Sequence, residues 1–142
     1  LKGEAWRVLR PGGAFIFNVW DRIDQNEFAE CVSLALEGSF QQTHPISWLV
    51  IPHGYCDPEL IARHLAEGGF TREPAMTSLS ARSRAASPRI PATAYCQGTP
   101  LRSEIEARDR SRLDEATAMM AKRFGHGAVD GKIQAHIFVA DR

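Results

Sequence analysis

Trp20, Asp21 and Arg22 set an aromatic face, a carboxylate and a guanidinium side by side where a long apolar run ends. Trp20 can stack on a bound molecule or anchor a core. Asp21 can serve as a base or an orienting group, or cap a turn. Arg22 can meet an acidic ligand or stay solvated. A second group lies in residues 39–56, an irregular stretch with Pro45, Pro52 and Gly54 that carries Phe40, His44, Trp48, His53 and Tyr55. Aromatic-rich loops of this length wall or cover pockets, and they also plug onto cores. His53 is the general-base candidate of that loop, since an imidazole titrates near neutral pH. Tyr55, and Tyr95 much later in the chain, are candidate pocket-lining residues.

Other chemistries find no pattern. His44, His53, His64, His126 and His136 lack the paired spacing of metal ligands, so no metal site is expected. The Gly-x-Ser-x-Gly signature of a nucleophilic serine does not occur. Cys31, Cys56 and Cys96 are odd in number, widely spaced and without a Cys-x-x-Cys pair. They argue against a disulfide framework or zinc site and for a reducing cytosol.

The elements that must position these residues are α/β in pattern. Leu1, Ala5, Val8 and Leu9 recur near helical spacing, Pro11 ends the helix, and Gly12-Gly13 suit a sharp reversal. Ala14 to Trp20 is then apolar almost without a break, which predicts a strand covered on both faces. In open α/β sheets ligands bind beyond the carboxyl ends of the strands, where Trp20 and Asp21 would lie. Phe28, Cys31, Val32, Ala35 and Leu36 predict a helix stopped by Gly38. Asp57-Pro58-Glu59 opens another, with Leu60, Ile61, His64 and Leu65 on its apolar side. Gly68-Gly69 end it, and Phe70 folds back. Thr71 to Ser83 predicts a strand, Ile90 to Gln97 and Leu101 to Arg108 short helices. The longest helix opens at Asp109 or Ser111, with Leu113, Ala116, Thr117, Met120 and Phe124 on one face. Val129 to Lys132 reads as a turn, and Ile133 to Ala140 as the last strand.

Glu4-Ala5-Trp6-Arg7-Val8-Leu9-Arg10-Pro11-Gly12-Gly13, followed by that apolar strand, resembles the segment leading into the fifth strand of class I methyltransferases that use S-adenosylmethionine. The type 11 and ubiquinone/menaquinone-biosynthesis enzymes are the nearest in kind. Helix, then Gly69-Phe70, then a strand resembles the region before their sixth strand. The resemblance makes the final strand their seventh, antiparallel and inserted between five and six. Residues 84–127 would be a helical insert. Ser87-Pro88 and Tyr95 to Leu101 resemble one bacterial subgroup in which such an insert covers the acceptor pocket.

The resemblance thus implies a partial Rossmann-like methyltransferase fold, with residues 1–142 as the C-terminal part of one domain. The chain starts inside a helix, at Leu1, and no glycine-rich loop occurs in it; the half that grips the cofactor is expected to lie upstream. S-adenosylmethionine is the cofactor implied for the longer protein, with none expected on this piece and no cofactor-binding residue assigned. The implied substrate is a small organic acceptor, met by Trp20, Asp21, Arg22, Tyr55 and Tyr95, with Trp20 able to face the sulfonium. The rival expectation is a small self-associating α/β binding domain without enzymatic activity.

Bulk properties fit either. The 142 residues suffice for one core, 44% are hydrophobic, and 17 basic residues balance 17 acidic ones. That balance gives no electrostatic case for nucleic acid. No apolar run approaches the ~18 residues of a membrane span, and a cytoplasmic protein is expected. A homodimer through the edge of strand 14–20 is expected as well.

Overall fold

A computed structural model of the chain describes residues 2–39 and 52–142. In order, the elements are α1 (Lys2–Val8), β1 (Ala14–Trp20), a 3-10 turn (Ile23–Gln25), α2 (Glu27–Ser39), α3 (Pro58–Glu67), β2 (Ala75–Ala85), α4 (Arg89–Gly98), α5 (Leu101–Asp109), a second 3-10 turn (Arg110–Arg112), α6 (Leu113–Phe124) and β3 (Val129–Asp141). The protein is mixed α/β. Its described sheet has three strands in the order β1-β3-β2. β3 runs antiparallel to β1, from Ala14 opposite Asp141 to Trp20 opposite Ala135. The last strand therefore lies between the first two.

The contacts divide the chain into two compact units, one of residues 1–22, 52–80 and 134–142 and one of residues 23–51 and 81–133. The first has its core where one sheet face meets α1 and α3. Phe138 and Ala140 of β3 are buried there with Ile61, Leu65 and Phe70, and Trp6, Leu9, Phe15, Phe17 and Val19 pack around them. Phe17 stacks on Phe138 at 5.3 Å, and Trp6 meets Phe70 edge-on at 5.2 Å. α1 buries Ala5, Trp6 and Leu9 only partly, whereas Val8, expected on the apolar face, is 65% exposed. The 3.6-residue period selects Trp6 with Leu9 instead, because the indole is the larger group to cover.

α3 follows its sequence signals closely. The Asp57 carboxylate accepts from the Glu59 amide at 2.9 Å, and Pro58 fills the first turn. At the other end the Gly69 amide donates to the Ala66 carbonyl and the Phe70 amide to the Leu65 carbonyl, at 3.0 and 3.1 Å. This pair of bonds is the Schellman closure. Gly69 sits at φ +106°, and a Cβ there would stand 2.9 Å from the Trp6 ring. Gly69→Ala meets both strain and a clash, so it should cost about 2–3 kcal/mol in urea denaturation.

β1 departs from its expectation. Its exposure alternates residue by residue, so one face is covered and the other is open. Phe15, Phe17 and Val19 face the core, while Ile16 is 65% exposed. The apolar composition predicts two-sided cover; the described residues supply one side. β2 runs Ala75–Ala85, later than the expected 71–83, and Ala75 to Arg82 are all exposed. β3 begins at Val129, so Val129 to Lys132 is strand rather than turn. The Asp130 carboxylate explains the extension: it accepts from Arg82 Nε at 2.8 Å and Arg84 Nε at 3.2 Å. Gly131 fits for a packing reason, since a Cβ there would meet the Phe28 ring at 3.0 Å.

In the second unit Val32 and Ala35 of α2, Ala92 and Cys96 of α4, Leu101 and Ile105 of α5, and Ala116 and Met120 of α6 form one buried cluster. Between β2 and β3 the chain is thus helical, as α4 to α6. α6 starts at Leu113, because Asp109 caps the preceding 3-10 turn through the Ser111 amide. α2, with 13 residues, is longer than α6, with 12. No described helix is long and apolar enough to cross a membrane.

Candidate functional site

Asp21 leaves the carboxyl end of β1 with its amide bonded to the Gln134 carbonyl of β3 at 3.0 Å. Its side chain is turned into the protein and is 7% exposed. Oδ1 accepts from the Arg22 amide at 2.6 Å and faces His136 Nε2 at 3.1 Å. Oδ2 accepts from the Gln134 side-chain amide at 2.5 Å. Burial by itself would raise this carboxyl. The Arg22 amide, the Gln134 amide and His136 together outweigh burial and hold it below its ordinary value of 3.8. Asp21 is therefore a fixed anion wrapped in donors, a poor proton acceptor and a good orienting group.

His136 is the residue it orients. Strand alternation puts His136 on the same face as Phe138 and Ala140, and it is likewise buried. A carboxylate cannot donate, so Nε2 carries the proton toward Asp21. In the neutral ring Nδ1 then holds the lone pair, and Ser78 Oγ of β2 lies 2.9 Å from it. Two residues further along β2, Ser80 Oγ donates to Gln134 Oε1 at 2.5 Å. Ser78, His136 and Asp21 thus form a hydroxyl–imidazole–carboxylate row that spans the three strands.

His53 meets the backbone of the same residue. Its Nδ1 is 2.8 Å from the Asp21 carbonyl oxygen, and a carbonyl only accepts, so Nδ1 carries the proton and Nε2 the lone pair. His53 is therefore set as a proton acceptor at Nε2. Its ring lies 6.3 Å from that of Trp20, which is 41% exposed. Tyr55 bonds through its hydroxyl to His64 Nδ1 at 3.0 Å, with the rings stacked at 5.8 Å. His64 is accordingly a satisfied, half-buried histidine, in line with its place on the apolar side of α3.

Of the residues singled out from the sequence, Trp20, Asp21, His53 and Tyr55 belong to this unit, and the structure brings Trp20, Asp21 and His53 together. Arg22 is exposed beside them. Tyr95 belongs to the other unit, where it packs against the buried cluster and burial pushes its phenol up. Cys31, Cys56 and Cys96 are all free thiols, and burial raises each of them. Among the described residues no three of His, Cys, Asp and Glu gather where they could hold a metal ion.

Ser78 and His136 escaped the sequence reading. A motif search looks for neighbours in sequence, whereas this row draws on positions 21, 78 and 136. The available signal was weak: a histidine in phase with Phe138 on a strand face otherwise apolar, which then needs a partner once buried. No protein-family model matches the chain, and no curated protein sequence does either.

Proposed function

We propose that the chain is the C-terminal part of a class I S-adenosylmethionine-dependent methyltransferase, similar to the type 11 and ubiquinone/menaquinone-biosynthesis enzymes, which methylates a small organic acceptor in the cytoplasm. One observation carries this reading: the strand order β1-β3-β2, with the last strand antiparallel to the first. The resemblance expects that order for strands five, seven and six. Consecutive strands are usually neighbours, so a final strand inserted between two earlier ones is a demanding match.

The residues present serve the acceptor side. Neither Gly-x-Gly-x-x-Gly nor a second-strand acid is found in these 142 residues, so no cofactor-holding residue is assigned. When bound, S-adenosylmethionine supplies a methyl group on a sulfonium. His53 Nε2 takes the acceptor's proton, the exposed Trp20 ring gives the acceptor a stacking face, and Asp21 holds His53 in place through its own carbonyl. This chain alone should bind no S-adenosylmethionine at micromolar concentration in calorimetry. The same chain carrying its natural upstream residues should bind it. Upstream residues lacking a glycine-rich strand–loop–helix would overturn the reading.

A second reading, self-association without catalysis, is favoured by the open face and edge of β1. Ile16 and Trp20 are exposed there, and β1 pairs with β3 on one side alone among the described strands. Such an edge invites a second chain. A homodimer through residues 14–20 is expected in sedimentation at tens of micromolar, and Ile16→Glu should raise its dissociation constant about tenfold or more. A monomer at every concentration would dispose of the dimer.

A further inference from the structure

We propose that Ser78 is an activated nucleophile, served by His136 and oriented through Asp21, that reacts with small activated carboxylic esters. The proposal does not depend on methyl transfer. Three features carry it. The Asp21 carboxylate is fixed by three donors at 2.5 to 3.1 Å, so it has one orientation to offer. That orientation sets the His136 tautomer, with Nε2–H toward the carboxylate and the Nδ1 lone pair toward Ser78 Oγ at 2.9 Å. Ser78 itself is exposed on β2, so a small ester reaches it from solvent. Nucleophile, base and orienting group are the parts that acyl transfer requires, recognised by geometry and not by sequence order.

The burial of the pair sharpens the point. Taking an aspartate and a histidine out of water costs desolvation that an apolar pair in the same place would avoid. Both are 7% exposed, while the hydroxyl they point to is at the surface. Ser80 supplies the contrast within the same strand. It also is exposed and faces β3, but its partner is the Gln134 carbonyl oxygen, which cannot be protonated at neutral pH.

In the reaction Ser78 Oγ bonds to the ester carbonyl carbon as its proton passes to His136 Nδ1. The carbon–oxygen bond to the alcohol breaks, and the alcohol leaves with that proton. Water then attacks the acyl-serine while His136 takes its proton, the carboxylic acid departs, and Ser78 recovers its hydrogen. The row provides a nucleophile and its base, which suits esters with good leaving groups.

A fluorophosphonate probe tests this on the chain as it stands, since Oγ–P bond formation with loss of fluoride marks the reactive serine. Peptide mapping by mass spectrometry should find Ser78 labelled at least about tenfold faster than Ser80, at the low end of what a positioned base contributes. Ser78→Ala should remove that label. His136→Gln should bring Ser78 down to the rate of Ser80, with hydrolysis of p-nitrophenyl acetate falling alongside. Asp21→Asn should slow labelling while leaving the Ser80 rate unchanged. Equal labelling of Ser78 and Ser80 in the unaltered chain would overturn the proposal, whatever the variants do to folding. So would a His136→Gln chain that labels as fast as the unaltered one.

Discussion

Asp21→Ala should lower stability to urea by about 3 kcal/mol, the largest effect expected of any polar substitution in the chain. The loss of a carboxylate alone is not the cause. Three donors converge on it: the Arg22 amide, the Gln134 side-chain amide and His136 Nε2. Truncation strands them in a pocket that water barely reaches, and each unmet buried group costs roughly 1–3 kcal/mol. Asp21→Asn should cost less, because it keeps the volume and one acceptor oxygen. The pH dependence has a definite sign. The folded carboxyl sits below its ordinary 3.8, so its contribution is complete above that value and fades as pH falls through the lower folded value. The gap in stability between the unaltered chain and Asp21→Asn, followed by denaturation from pH 7 downward, should hold steady to about pH 4 and close below it. A gap that widened in acid would refute the assignment of Asp21 as a held anion.

Phe138→Ala should be as damaging, at about 3–5 kcal/mol, for the opposite reason. Phe138 is 1% exposed, stacks on Phe17 and packs with Ile61, Leu65 and Phe70. It sits in the middle strand, so the void would open where β1 and the two helices α1 and α3 all rest. Ile16→Ala is the control. It removes apolar atoms from the open face of β1, and its effect should stay within about 0.5 kcal/mol. Equal losses at positions 16 and 138 in urea titrations would mean that the open face is covered in solution.

Local chemistry made much of the fold legible. Asp57-Pro58-Glu59 and Gly68-Gly69-Phe70 carry their own hydrogen-bonding instructions, and α3 begins and ends where they say. The period of Ala116, Thr117 and Met120 likewise identified the buried side of α6. What failed depended on partners distant in the chain. Val129 to Lys132 has turn composition, yet Arg82 and Arg84 hold Asp130 in a strand. Ala14 to Trp20 is apolar enough for two covered faces, and the described residues cover one; cover is set by which helices arrive, and composition cannot count them. The site divides the same way. The placement of Trp20 and Asp21 at the carboxyl end of β1 was legible because the apolar run that forms the strand ends there. His136 was not, because its meaning comes from Asp21 and Ser78, 115 and 58 residues away. Tyr95 packs against a helical cluster that its sequence neighbours do not reveal.

The place of β3 has a kinetic consequence. Ala14 pairs with Asp141 and Trp20 with Ala135, so every rung between the first strand and its neighbour closes a loop of more than a hundred residues. Contacts of such long range put the ordering entropy first and the reward late, which slows folding from microseconds toward milliseconds or seconds. Until that closing stretch emerges from the ribosome, β1 and β2 have no common neighbour. Without it the two described strands lack the neighbour that joins them, while the helices can already coil on their own. A chain stopped short of residue 129 should therefore keep much of its helical circular dichroism and yet lose the sheet that β3 joins.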